Sequence, residues 1–152
     1  MSLIQVRNLG VVSPRPLFQH LDFALHEADR IGLVAGNGAG KTTLLRCIAG
    51  QAEAGAGDIV RRRGLRVGFV EQDVPAALLD LPLAEAIRRA LPVAEREANG
   101  WKVGLVLDML ETPEAMRGRR LCELSGGWQR LALIARAWIA DPDVLLLDEP
   151  TN

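Results

Sequence analysis

The chain contains no tyrosine, and its aromatics are 3 phenylalanines and 3 tryptophans in 152 residues. A tyrosine-based stacking surface for a base is thereby excluded. Cysteine is scarce as well. Cys47 and Cys122 form no CxxC pair and no metal-ligand spacing, so a cysteine-bound metal centre is excluded and a reducing cytosol is the expected compartment. Both lie among apolar neighbours and read as small core residues. Neither sign of charge is in excess: 18 Lys and Arg against 19 Asp and Glu leave −1, so no overall field points to nucleic acid or a membrane surface. No apolar run approaches the roughly 18 residues of a membrane span, and the N-terminus lacks a signal-peptide pattern. No internal repeat or low-complexity linker is visible. The clusters Arg61-Arg62-Arg63 and Arg117, Arg119, Arg120 read as solvated surface, with contact to RNA or a partner as the alternative.

What is present is length enough for one α/β domain with a core. Leu3 to Val6 reads as a short strand, and Phe18 to Leu25 alternates apolar with polar residues like a second. Arg30 to Ala35 is an almost wholly apolar run, as expected of a strand buried on both faces. Lys41 to Ala49 reads as a helix stopped by Gly50. Ile59 to Arg62 and Arg66 to Val70 are strand candidates. From Pro75 the character changes to short helices broken by prolines, with Val103, Val106, Leu107 and Leu110 on one face. A longer helix is expected from Gly126 to Ala140, burying Trp128, Leu131, Ala132, Ala135, Trp138 and Ile139. The strand Val144 to Leu147 follows. The expected organisation is one domain over 1–152: a core over 1–74, a helical subdomain over 75–124, and a final helix and strand over 125–152.

Two segments carry chemistry. In the first, Gly36, Asn37, Gly38, Ala39, Gly40, Lys41, Thr42 and Thr43 join a strand candidate to a helix start. The glycines let successive N–H groups turn toward phosphate oxygens, and the helix N-terminus adds unpaired donors and its positive dipole end. Lys41 can reach the terminal phosphates, and the Thr42 hydroxyl can serve Mg²⁺. The GxxxxGK[ST] pattern is met except at its first glycine, where Ala35 stands and Gly36 comes one residue late.

In the second, Asp148 and Glu149 end the apolar strand. Carboxylates at the carboxyl edge of a sheet stand where ligands of open α/β sheets bind, so Asp148 can hold a Mg²⁺ shell and Glu149 can polarise an attacking water. Upstream, Ser125-Gly126-Gly127 opens the long helix with Ser125 at the N-cap. Two glycines in a first turn weaken a helix, which points to a need for bare backbone and a second anion site.

On these residues the chain resembles the ATP-binding cassette (ABC) ATPases: the loop at Gly36–Thr43 matches Walker A, Leu124-Ser125-Gly126-Gly127 the signature, and Leu145 to Asn152 Walker B and its continuation. The resemblance implies an α/β P-loop NTPase fold with a helical subdomain, incomplete at its C-terminus, with ATP and Mg²⁺ as cofactors. It implies Glu149 as the catalytic base and Gln72, matching the family's Q-loop glutamine, beside the metal and water together with Thr42 and Asp148. It further implies a second cassette, on the same chain or in a dimer, facing this one head to tail, so that Ser125, Gly126 and Gly127 contact the opposite nucleotide.

Trp128 stands where most transporter cassettes have glutamine, and Asn152 follows Asp-Glu-Pro-Thr. Both resemble the ABC-F branch, so the expected function is ATP binding and hydrolysis by a cytoplasmic ABC-F-type ATPase acting on the ribosome. A membrane-transporter subunit is the alternative, and nucleotide binding without turnover by residues 1–152 alone is a third reading. The interval from Gln72 to Leu124 matches an ordinary helical subdomain without a long inserted arm. The family's usual adenine-stacking aromatic has no counterpart at Val11-Val12; Phe18 is the nearest aromatic, and its strand context reads as core. His20 and His26 read as surface residues.

Overall fold

The computed structural model describes residues 2–13 and 15–149, and the chain divides into two compact units, Met1–Val67 and Gly68–Asn152. In the first unit β1 (Ser2–Ser13) is the middle strand of a three-stranded sheet, antiparallel to β2 (Arg15–His26) and to β3 (Ala56–Arg61). Leu3, Ile4, Val6, Leu9 and Val11 of β1 are buried. Adjacent Leu3 and Ile4 can both be buried because the register shifts there and again between Val6 and Leu9, breaking the strict alternation of a flat strand. Helix α1 (Lys41–Ala49) adds Leu44, Leu45, Cys47 and Ile48 to this unit's core and stops at Gly50. Arg61 reaches the carboxyl end of α1, donating from Nε to the Ile48 carbonyl at 3.0 Å and from Nη2 to the Cys47 carbonyl at 2.6 Å. A cation there satisfies carbonyls that the helix leaves open and complements its dipole. Arg62 pairs with Glu27 at 3.0 Å. The first arginine cluster is thus partly structural.

The run Arg30 to Ala35 departs from expectation. It forms no strand, joins neither sheet, and is exposed throughout, with Val34 99% and Ile31 52% accessible. A doubly covered strand needs neighbours on both edges and layers on both faces. Among the described residues none pairs with this run, so apolar composition alone does not bury it.

The second unit is mainly helical: α2 (Ala76–Leu79), α3 (Leu83–Arg88), α4 (Trp101–Met109), α5 (Glu114–Arg117) and α6 (Gly126–Trp138). Leu83, Ala86 and Ile87 of α3, Val103, Val106 and Leu107 of α4, Leu121, and Ala132, Ala135 and Ile139 share one core, with Leu110 and Trp128 packed against it. A second side of α6 was not anticipated. Leu133 and Ala137 cover Val70 of β4 (Val67–Val70), which pairs with β5 (Val144–Leu147). Trp138, expected inside, is 41% exposed because those two packed sides leave it outside both. β5 is likewise one-sided: Val144 and Leu146 are buried while Leu145 and Leu147 are exposed.

Arginines cross-brace this unit. Half-buried Arg136 donates to the Ala86 carbonyl; burial pulls its pKa down, and the Glu71 carboxylate opposes that pull. Arg117 binds Asp108 at 2.6 Å and the Thr112 carbonyl, and Arg120 binds Glu123 at 2.7 Å, so these two arginines of the second cluster are also partnered. Cys47 is buried as expected, and burial pushes its thiol pKa up, whereas Cys122 is exposed beside Asp80. Among the described residues no helix is long and apolar enough to cross a membrane.

Candidate nucleotide site

The glycine-rich loop expected to hold phosphate lies in the first unit. Gly36, Asn37 and Gly38 are exposed, and Ala39 and Gly40 half-buried, as α1 begins at Lys41. Gly38 and Gly40 take φ of 77° and 88°, and the Ala39 N–H closes a turn on the Gly36 carbonyl at 3.2 Å. Left-handed backbone at two positions inside four residues is what glycine permits and other residues resist. A Cβ on Gly36 or Gly38 would meet nothing within 4 Å, so open space faces the loop there. Lys41 folds back, its Nζ donating to the Ala35 carbonyl at 2.8 Å. The alanine at position 35 is therefore accommodated, since its carbonyl rather than a left-handed φ is what the loop uses. Thr42 and Thr43 lie half-buried in the first turn of α1. Open backbone donors, a mobile-length ammonium and a helix start form a donor set that fits a polyphosphate with its Mg²⁺.

Phe18 is half-buried, and its ring carbons lie 3.1 and 3.3 Å from where a Cβ on Gly40 would stand. It flanks the loop. Val11 is buried and Val12 is 59% exposed at the β1 end. His20 and His26 are exposed, bonded to Asn8 and Asp29.

The remaining candidates lie in the second unit. Asp148 is 2% exposed, directly after β5, and its N–H donates to the Val70 carbonyl at 3.2 Å. Glu149 is half-buried with φ 44°, a left-handed conformation that a glutamate adopts only at a cost. Gln72 is exposed in the bend that follows β4. Pairing of β4 with β5 therefore brings the Gln72 and Asp148 segments to neighbouring strand ends. Ser125 occupies the N-cap position of α6, and its side chain makes no capping hydrogen bond; its carbonyl accepts from the Gln129 N–H at 3.0 Å. Ser125, Gly126 and Gly127 are all exposed, and a Cβ on Gly126 would meet nothing within 4 Å. The bare first turn is free of any packing demand for glycine. Pro150, Thr151 and Asn152, the tail of the terminal motif, lie outside the described residues.

Sequence reasoning missed Arg130. Its guanidinium donates to the carbonyls of Glu71, Gln72 and Asp148, at 2.8, 3.0 and 2.7 Å. No residue pattern marks such a contact, because its acceptors are main-chain atoms.

The family model described as ABC transporter matches residues 18–152. The chain belongs to that family. The ABC membership covers the phosphate loop, the α6 start and the β5 carboxylates together. The chain is 37% identical, along its whole length, to the zinc import ATP-binding protein ZnuC of Cereibacter sphaeroides, and spans 61% of that relative. It is 32% identical to the ATP-binding protein Uup of Buchnera aphidicola subsp. Schizaphis graminum, again over the whole chain but spanning 26% of the relative. Among solved structures, an inward-facing ABC transporter aligns with 99% of this chain at a TM-score of 0.82 and 28% identity, the chain covering 62% of it. The expected α/β P-loop fold is therefore shown, with ABC cassettes as its structural neighbours.

Proposed function

We propose that this protein binds and hydrolyses ATP as the cassette of a membrane transporter. The observation that carries the reading is its 37% identity, along the whole chain, to a zinc import ATP-binding protein. This reverses the order expected from the sequence, where the ABC-F branch came first. Trp128 is half-buried against the helical core, so packing accounts for a large aromatic there without a branch-specific role. In this reading, in the first unit, the backbone of Gly36 to Gly40 and Lys41 would hold the phosphates and the Thr42 hydroxyl would serve Mg²⁺; in the second unit, Asp148 would be a Mg²⁺ ligand with Gln72 on the neighbouring strand end. Thr43 extends the same helix start. Mg²⁺ supplies neutralisation of charge on the phosphates. Glu149 polarises the attacking water, and Ser125, Gly126 and Gly127 reach the nucleotide of a second cassette placed head to tail. The helices between 75 and 124 serve as the subdomain that meets the transporter partner, on the cytoplasmic side.

An ABC-F role at the ribosome is the second reading, favoured by Trp128 in the place of the usual glutamine. Affinity-tagged protein of natural length, expressed in its own host, separates the two. Recovery with membranes and a co-purifying membrane protein is expected. Recovery with ribosomes, and none with membranes, would overturn the transporter role.

A further inference from the structure

Arg130 sits in the second turn of α6, the helix opened by Ser125-Gly126-Gly127. Its Nη1 donates to the carbonyls of Glu71 and Gln72, and its Nη2 to the carbonyl of Asp148. These acceptors lie 59, 58 and 18 residues away in sequence, all within the second unit. A guanidinium is planar and its donors diverge at fixed angles, so one side chain holds both segments at a set spacing from each other and from α6. Nε is buried with no hydrogen-bond partner among the described residues. A buried donor left unmade costs stability, a cost set against the three main-chain hydrogen bonds that the same guanidinium makes.

We propose that Arg130 is a positioning residue for ATP hydrolysis: it fixes the Gln72 bend against the Asp148–Glu149 strand end. This rests on the roles given above to Gln72, Asp148 and Glu149. The cation acts on main-chain carbonyls and not on substrate. What it sets is where the Gln72 and Asp148 side chains start from, and so how well they share one metal. Lysine keeps the charge but carries a single ammonium, which cannot hold both segments in one plane.

The test compares Arg130→Lys, Arg130→Met and Glu149→Gln in the protein of natural length, with turnover expressed per bound nucleotide. Supporting atoms one layer behind a metal site typically matter by about 10- to 100-fold. Arg130→Met is expected to bind ATP as the wild type does, to lose roughly that factor in kcat, and to need more Mg²⁺ for half-maximal turnover. Arg130→Lys recovers only part of both. A purely structural role would lower the melting temperature and the bound fraction but leave kcat per bound nucleotide and the Mg²⁺ requirement unchanged; that result overturns the proposal. Should Arg130→Met fail to fold, Arg130→Lys decides alone: wild-type kcat and Mg²⁺ requirement reject the proposal, and losses in both support it. Full turnover by Glu149→Gln would instead overturn the site reading beneath it.

Discussion

The carbonyl oxygen of Ala137 stands 2.9 Å from the point that a Cβ on Gly68 would occupy. The Leu145 side chain and the Pro142 Cβ are also close, at 3.1 and 3.2 Å. Backbone and a proline ring cannot swing aside as a long side chain can, so α6 is seated on β4 at the limit of approach. Gly68→Ala is expected to lower stability by about 1–3 kcal/mol, the usual range for overpacking. Thermal unfolding measures it. An unchanged melting temperature would mean that α6 can lift from the strand.

Lys41 anchors on the Ala35 carbonyl through its Nζ at 2.8 Å and reaches the Gly36 carbonyl at 3.5 Å. In the proposed site, arriving phosphates would exchange these neutral acceptors for charged ones. Lys41→Met is expected to leave the fold intact, because the ammonium end is exposed. Hydrogen bonds to charged groups are worth about 1.5–3 kcal/mol, and each 1.4 kcal/mol is a factor of ten, so ATP affinity should drop about 10- to 100-fold. Titration with a fluorescent ATP analogue reads this directly. Wild-type affinity in the variant would remove Lys41 from the phosphate site.

These two sites show what was legible in the chain and what was not. Phe18 to Leu25 alternates, and β2 forms there; Lys41 to Gly50 carries a helix start and a stop, and α1 lies between them. Such signals are local. Arg30 to Ala35 failed because burial depends on neighbours, and an apolar run does not state whether it has any. Trp138 and Cys122 failed likewise, each placed outside by packing that its own sequence neighbourhood does not encode. At the candidate site, the left-handed loop and the helix start after it were readable because their glycines lie within a few residues of each other. Arg130 was not, since it spends its donors on carbonyls that every residue possesses.

Glu85 accepts from Arg88 at 2.7 Å and from Arg89 at 3.1 Å, and those hydrogen bonds hold its carboxyl below the usual range. A depressed carboxyl pKa means that the unfolded chain takes up the proton first. The stability from Glu85 is therefore complete above the unfolded value, about 4.5, and is lost as pH falls through the folded one. Glu85→Gln should be less stable than the wild type at pH 7, and the difference should vanish in acid. Chemical denaturation at pH 7 and at about pH 3 tests the sign. A gap that persists or widens in acid would show that the two arginines do not act through ionised Glu85.

Glu149 combines a left-handed backbone, φ 44°, with a position directly after buried Asp148. Left-handed residues with a Cβ cost roughly 1–2 kcal/mol, a cost glycine escapes. Glu149→Ala and Glu149→Gly both remove every contact of the carboxylate, so the difference between them isolates the backbone. Glycine's larger unfolded-state entropy offsets part of the relief, leaving Glu149→Gly more stable than Glu149→Ala by about 0.5–1 kcal/mol. Function should not follow stability: both variants, and Glu149→Gln, should bind ATP and fail to turn it over if the carboxylate is the base. Denaturation midpoints give the first ordering and phosphate release gives the second. If alanine proved the more stable, residue 149 would not hold a left-handed backbone in solution. If either variant kept its turnover, the base would have to be sought among the other carboxylates.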